Sequence, residues 1–303
     1  MELAIIQQPT ETILKQGADI KLIASYNGAT FTLTVEDNTA RRITVSPTGE
    51  ATYLDTLRAF YDLEKLLMVF DGQFHNVVQA YENRTDITIS WKNRALASFE
   101  TAHFMTCEDS LLDFHSVLNN TVFSKWRKLQ NQLDMIHKMV LYCVSSVQMP
   151  IDMKCAFMIE AFLGIAEILK GRQLISLPEV RSDESKLGKY LQAVIEKYGK
   201  DIFTAELATN ITAFVQVLVN SRNRIAHIKN RQSKLVLNGK ECEVYLKKLF
   251  LIYRSILLVL LKVPYESYKP RLLQLTKTID EQPATKAFLL KIKKKPVSKK
   301  QRM

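Results

Sequence analysis

Cysteine is scarce in this chain, and what there is lies scattered. Cys107, Cys143, Cys155 and Cys242 form no CxxC pair, and the five histidines, His75, His103, His115, His137 and His227, do not fall at zinc-ligand spacing. That pattern excludes a disulfide framework and a sequence-encoded zinc site, so no metal and no cofactor is expected. The strings GxxxxGK[ST], GxGxxG and HExxH are also missing. Kinase, NTPase, dinucleotide-dependent and zinc-hydrolase chemistry are therefore left without a motif. Long apolar runs are lacking too. The most apolar stretch, SILLVLLKV at 255–263, has nine residues, contains Lys262 and follows Arg254, whereas a membrane span needs about 20. The opening MELAIIQQPTET has no basic segment followed by a long apolar core, so no secretory signal is expected. A cytoplasmic location without a membrane partner is the resulting expectation.

What is present is an ordinary folding composition: 303 residues, 47% hydrophobic and 24% charged, with 14 Phe and 11 Tyr. A chain of this length can bury a sizeable core and accommodates two modest domains. Its formal charge of +11 is unevenly spread, because KIKKKPVSKKQRM at 291–303 carries six Lys and one Arg with no acid, leaving +4 to the rest. Such a concentration attracts phosphate backbones through a salt-sensitive, sequence-independent force; a solubilising end has the same composition.

Hydropathy changes period near residue 110. DIKLIA (19–24), TFTLTVE (30–36), RRITV (41–45), NVVQAYE (76–82) and DITISW (86–91) are short, β-branched and partly alternating, with YNG at 26–28 as a turn. YLDTLRAFYDLEKLLMVF (53–70) has helical spacing and a stop at Asp71-Gly72. Trp91, alone in a strand-like stretch, reads as core. From LLDFHSVLNN (111–120) onward nearly every segment reads as helix, through to VYLKKLFLIYRSILLVLL at 244–261, with RLLQLTKTI as a weak further segment. The expected fold class is α+β: a strand-rich N-terminal domain over 1–110, an all-α bundle over 111–280, and a basic flexible tail over 281–303.

One stretch concentrates chemistry. In SRNRIAHIKNR (221–231), Arg222, Asn223 and His227 follow the apolar run ITAFVQVLV (211–219). At about 100° per residue Asn223 and His227 share a face, and Arg222 is about 140° from His227, a gap an arginine can span. A histidine moves protons near neutral pH, and an arginine holds phosphate through paired charge-assisted hydrogen bonds. With the 2′-OH of RNA as internal nucleophile, these two groups suffice to begin metal-independent cleavage. The competing reading is a solvated basic patch that complements the dipole at a helix C-terminus.

In this setting RNRIAH resembles the Arg-polar-x3-His signature of the HEPN superfamily, the higher eukaryotes and prokaryotes nucleotide-binding domains. The succession of a strand-rich domain, CAFMIEAFLGIAEILKG (155–171), KLGKYLQAVIEKYG (186–199) and VNSRNRIAHIKN (219–230) resembles the ApeA-like branch of bacterial anti-phage defence, over roughly residues 111–263. The resemblance implies a metal-independent endoribonuclease acting as a homodimer on structured RNA such as tRNA, under a phage-derived activator. It puts Arg222 and His227 on the catalytic positions, Asn223 on the polar position, and Glu160 or Glu167 where an acidic residue supports the cleft. It leaves open a non-catalytic HEPN-type module that binds RNA or regulates a protein.

Overall fold

The computed structural model describes residues 1–7, 19–37, 40–72, 74–92, 110–181, 185–227 and 234–293, the side chains of Lys92, Asp134 and His227 excepted. The chain forms two compact units. One comprises Met1–Gln132, Ser145–Val147 and Leu257–Tyr268, the other Leu133–Val144, Gln148–Ile256 and the chain from Lys269. The division does not fall at residue 110, because helices Asn120–Val144 and Gly239–Leu260 each supply residues to both units.

The first unit is built on an antiparallel sheet. Strands β1 (Leu3–Gln7), β2 (Ile20–Tyr26), β3 (Ala29–Asp37), β4 (Arg41–Thr48), β5 (Val77–Glu82) and β6 (Thr85–Asp86) take the order β2-β3-β4-β1-β5-β6. Alternation along β2 and β3 buries Leu22, Ala24, Phe31, Leu33 and Val35 on one face, as a side-chain period of two requires. Their register is set by Asn27 and Gly28, both at positive φ (48° and 87°), the pair of left-handed residues a type I′ hairpin needs. Helix α1 (Tyr53–Asp71) packs across β2, β3 and β4. Thr52 caps its start by accepting the Asp55 N–H at 3.1 Å. Gly72, left-handed at φ 77°, ends it by donating its N–H to the Met68 carbonyl at 2.8 Å.

Three segments differ from their sequence reading. LAIIQ at 3–7 is a strand, and a central one, pairing with β4 on one side and β5 on the other. DITISW is only briefly extended: after the two residues of β6 the chain turns into α2 (Thr88–Lys92). There Asp86 accepts the Thr88 N–H at 2.8 Å, and Trp91 is fully buried beside the Phe60 and Tyr61 rings. LLDFHSVLNN holds a 3-10 turn at Phe114–Ser116, started by Asp113 accepting the His115 N–H at 3.1 Å, rather than a full helix.

The second unit is helical. It draws on α3 (Asn120–Val144), α4 (Ile151–Gly171), α5 (Lys186–Tyr198), α6 (Thr204–His227), α7 (Gly239–Leu260), α8 (Lys269–Asp280) and α9 (Pro283–Lys293). Helices α4, α5 and α6 pack on one another, and α9 lies against α6 and α8. Phe214 of α6 is the hub of an aromatic cluster, with ring centroids 5.4 Å from Phe203, 5.2 Å from Tyr245 and 6.1 Å from Phe288. Beside it lies a fully buried ion pair, Lys248 Nζ to the Glu206 carboxylate at 2.7 and 2.9 Å, to which Asp280 adds a second carboxylate. The stretch read as a tail from 281 is therefore helix up to Lys293. Its lysines mask an apolar stripe, of which Phe288 and Ile292 are completely buried. Residues 294–303 lie outside the described residues. A six-stranded antiparallel sheet followed by a helical C-terminal part makes the fold α+β, as the hydropathy pattern implied.

Candidate functional site

The RNRIAH segment closes α6, and the second helical run of α6 carries it. Asn210, at φ −172° and ψ 87°, breaks the helix. Its Oδ1 accepts the Ala213 N–H at 3.0 Å, so it acts as the N-cap of the run that follows. Along that run Phe214, Val217, Leu218 and Val219 are buried, Arg222 and Asn223 are half-buried, and Arg224 is exposed. The helix thus leaves the core at the motif.

Two buried polar residues fix this end from beneath. Ser221 Oγ donates to the Val217 carbonyl at 2.8 Å and accepts the Leu237 N–H at 2.9 Å. Asn220 donates to the Leu235 carbonyl at 3.2 Å and accepts from Gln216 at 3.0 Å. The chain that returns after the motif is bonded to the turn just before it. Sequence reading passed over both residues; the signal was an Asn-Ser pair directly after an apolar run, where polar groups need partners.

Arg222 is oriented by two neighbours. Its Nε donates to Glu160 Oε2 on α4 at 2.7 Å, and its Nη1 donates to Asn223 Oδ1 at 3.0 Å. A guanidinium has five N–H donors, and among the described residues Nη2 has no partner. The group is accessible, with side chains 24% exposed for Arg222 and 33% for Glu160. Of the two acids the sequence offered, Glu160 meets the arginine, whereas Glu167 pairs with Lys186 at 2.8 Å.

A second ion pair, which the sequence reading did not anticipate, flanks the first. Arg224 Nη2 donates to Asp152 Oδ2 at 3.1 Å. Asp152 sits in the first turn of α4 and Arg224 in the last turn of α6, so each charge complements the dipole of its own helix as well as the other. The two contacts run in opposite senses along the two helices, which makes α4 and α6 antiparallel neighbours. His227 is the last residue of α6, and its side chain lies outside the described residues.

The other histidines are structural where described. His137 meets the Tyr253 hydroxyl at 2.6 Å, His75 meets Asp71 at 2.8 Å, and His115 meets Asp113 at 3.0 Å; His103 lies outside the described residues. Cys143, Cys155 and Cys242 are buried and unbridged, and burial pushes the Cys143 thiol up to about 12. Among the described residues no helix is long and apolar enough to cross a membrane, and no cluster of three His, Cys, Asp or Glu side chains could hold a metal ion.

The arrangement presents a partly exposed guanidinium held at Nε and Nη1, five residues before a histidine. Such a group can clamp an oxyanion without reorganising. Comparison with protein families matches residues 152–267 to the Apea-like HEPN family. The match begins at Asp152, takes in Glu160 and the whole motif, and ends in the 3-10 turn Tyr265–Ser267. Comparison with curated proteins and with solved structures gave no match.

Proposed function

Taking residues 152–267 as a HEPN domain of the ApeA-like branch, with the RNase-type or nucleotide-binding role in defence that this domain indicates, we propose that the protein is a metal-independent endoribonuclease. The observation that carries this reading is the orientation of Arg222 by Glu160 and Asn223, with Nη2 left for a phosphate. In the proposed reaction Arg222 holds a non-bridging phosphate oxygen and stabilises the charge that accumulates on the five-coordinate transition state. His227 takes the proton of the 2′-OH, whose oxygen attacks the adjacent phosphorus while the bond to the 5′-oxygen breaks. The products are a 2′,3′-cyclic phosphate and a 5′-hydroxyl. Asn223 acts by fixing the arginine rather than by touching the reacting atoms.

The departing 5′-oxygen needs a proton, and one histidine cannot both remove and deliver in the same instant. A homodimer that brings two copies of the motif to one cleft supplies a second histidine and a second clamp. The substrate proposed is structured RNA, tRNA among them, released for cleavage by a phage-derived activator.

The test is incubation of the full chain with total RNA in EDTA, followed by analysis of the new ends. Cyclic phosphate and 5′-hydroxyl ends are expected; loss of cleavage in EDTA, or 5′-phosphate ends, would overturn the mechanism. A second reading, a non-catalytic RNA-binding or regulatory module, draws on the carboxylate partners of both arginines, which neutralise the motif. That reading requires that no new ends appear with any RNA.

A further inference from the structure

The exposed strip of α4 beside the motif carries an aromatic ring. Phe157 is 37% exposed, and of the described phenylalanines it alone is exposed. It lies three residues before Glu160, so the two share a helix face about 60° apart. Met153, half-buried and one turn before Phe157, extends the same strip. On the α6 side the strip is bordered by Arg222 over Glu160 and by Arg224 over Asp152. Two turns further along the same face, α3 meets α4 at Gly164, where an added Cβ would stand 2.5 Å from Ile136 Cδ1. The ring thus sits on the exposed side of α4, within a turn of the residue that holds the arginine.

We propose that Phe157 is the platform on which a nucleobase of single-stranded RNA stacks while Arg222 holds a neighbouring phosphate. An aromatic face next to guanidinium groups offers what an unpaired nucleotide presents: a flat π surface on one side and an anionic oxygen on the other. The proposal rests on the RNA reading above and adds to it the class of contact that selects unpaired over paired RNA, because a base must leave its stack to reach the ring. A second copy of the chain is the other candidate occupant, and the surroundings disfavour it. Closing a dry seam over Phe157 would desolvate two ion pairs, whereas a homodimer whose motifs line an RNA-filled cleft leaves the ring open to the substrate.

The test uses the full chain and a single-stranded oligonucleotide with 2′-O-methyl sugars throughout and one 2-aminopurine base. It cannot be cleaved through a 2′-OH, so it reports binding whether or not the protein is a nuclease. Wild type is expected to quench the probe, Phe157→Trp to quench it as well, and Phe157→Leu to lose the quench with Kd rising roughly tenfold. Cleavage of unmodified RNA by Phe157→Leu is expected to show a raised KM with kcat little changed. The platform is overturned if Phe157→Leu binds and quenches like wild type, if wild type does not bind the probe, or if Phe157→Leu changes only the oligomeric state in light scattering. Quenching without any cleavage of natural RNA would instead remove the nuclease reading and leave the platform standing.

Discussion

Arg222 Nε and Glu160 Oε2 lie 2.7 Å apart and join the end of α6 to the middle of α4. Because both side chains are accessible, the pair contributes little to stability, on the order of 0–1 kcal/mol. Its effect is on orientation. Glu160→Gln keeps the shape and removes the charge, so kcat for RNA cleavage should fall about 10- to 100-fold. The urea midpoint should stay within experimental error of wild type; a variant that unfolds earlier but cleaves normally would show that Glu160 is structural.

Arg222→Ala and His227→Ala should each remove cleavage by at least about 10²-fold while leaving the circular dichroism spectrum unchanged. Arg222→Ala should also weaken RNA binding more than His227→Ala, since the phosphate clamp is removed only in the first. Mixing the two variants is informative for the dimer proposal: recovery of cleavage in the mixture requires a cleft shared by two chains. A fully active species that light scattering shows to be monomeric would contradict it.

Lys248 and Glu206 are both fully buried, which makes their removal asymmetric. Glu206→Ala leaves the ammonium with only the partly exposed Asp280 carboxylate and should cost about 3–5 kcal/mol in urea unfolding. Combining Glu206→Leu with Lys248→Met removes both charges and should recover most of that loss. Equal destabilisation by the single and double variants would mean that packing, not charge, governs this site.

Stability should also fall in acid through one carboxyl of the first unit. Burial alone would raise Asp71, but the Arg41 guanidinium, whose Nη1 is 2.8 Å away, and the His75 hydrogen bond more than offset it and hold the group at about 2. A carboxyl depressed in the fold stabilises it above its unfolded value near 4, and the contribution is lost as pH falls from there through about 2. The size is about 2 kcal/mol. Urea titrations at pH 5, 4, 3 and 2 should show this loss in wild type and not in Asp71→Asn, which is already weaker at pH 5.

Truncation separates the basic end from the helix before it. Stopping after Lys293 removes Lys294, Lys295, Lys299, Lys300 and Arg302 and should leave folding intact. The salt dependence of RNA binding should flatten by about 0.7 in the logarithmic slope for each phosphate that the shortened chain no longer neutralises. Stopping after Gln282 also removes Phe288 and Ile292 from the core and should destabilise the helical unit by several kcal/mol, at roughly 1.5–3 kcal/mol per large buried side chain.

How much of this was legible depended on whether a residue's surroundings repeat along the chain. Strands β2 and β3 and helix α5 announce themselves because one face is wet and the other dry, and Asn27-Gly28 fixes a hairpin locally. β1 does not: as an inner strand its burial is nearly unbroken, so LAIIQ shows no alternation. DITISW shows alternation over too few residues to distinguish a strand from the short helix that seats Trp91. The positions of Arg222 and Asn223 at the wet end of α6 were readable from the apolar run before them. The partners Glu160 and Asp152, some 60 to 70 residues earlier, are set by how α4 lies against α6, which no local pattern encodes.

The bonds from Ser221 to Leu237 and from Asn220 to Leu235 have one more consequence, for how this chain tolerates change. They tie the turn just before the motif to the chain at Leu235 and Leu237, so both ends of the connection that follows α6 are bonded in place. Doubling the length of such a connection adds only about 0.6 kcal/mol of closure entropy. Residues added between His227 and Lys234 should therefore cost little stability, while the bonded positions before and after them keep their partners.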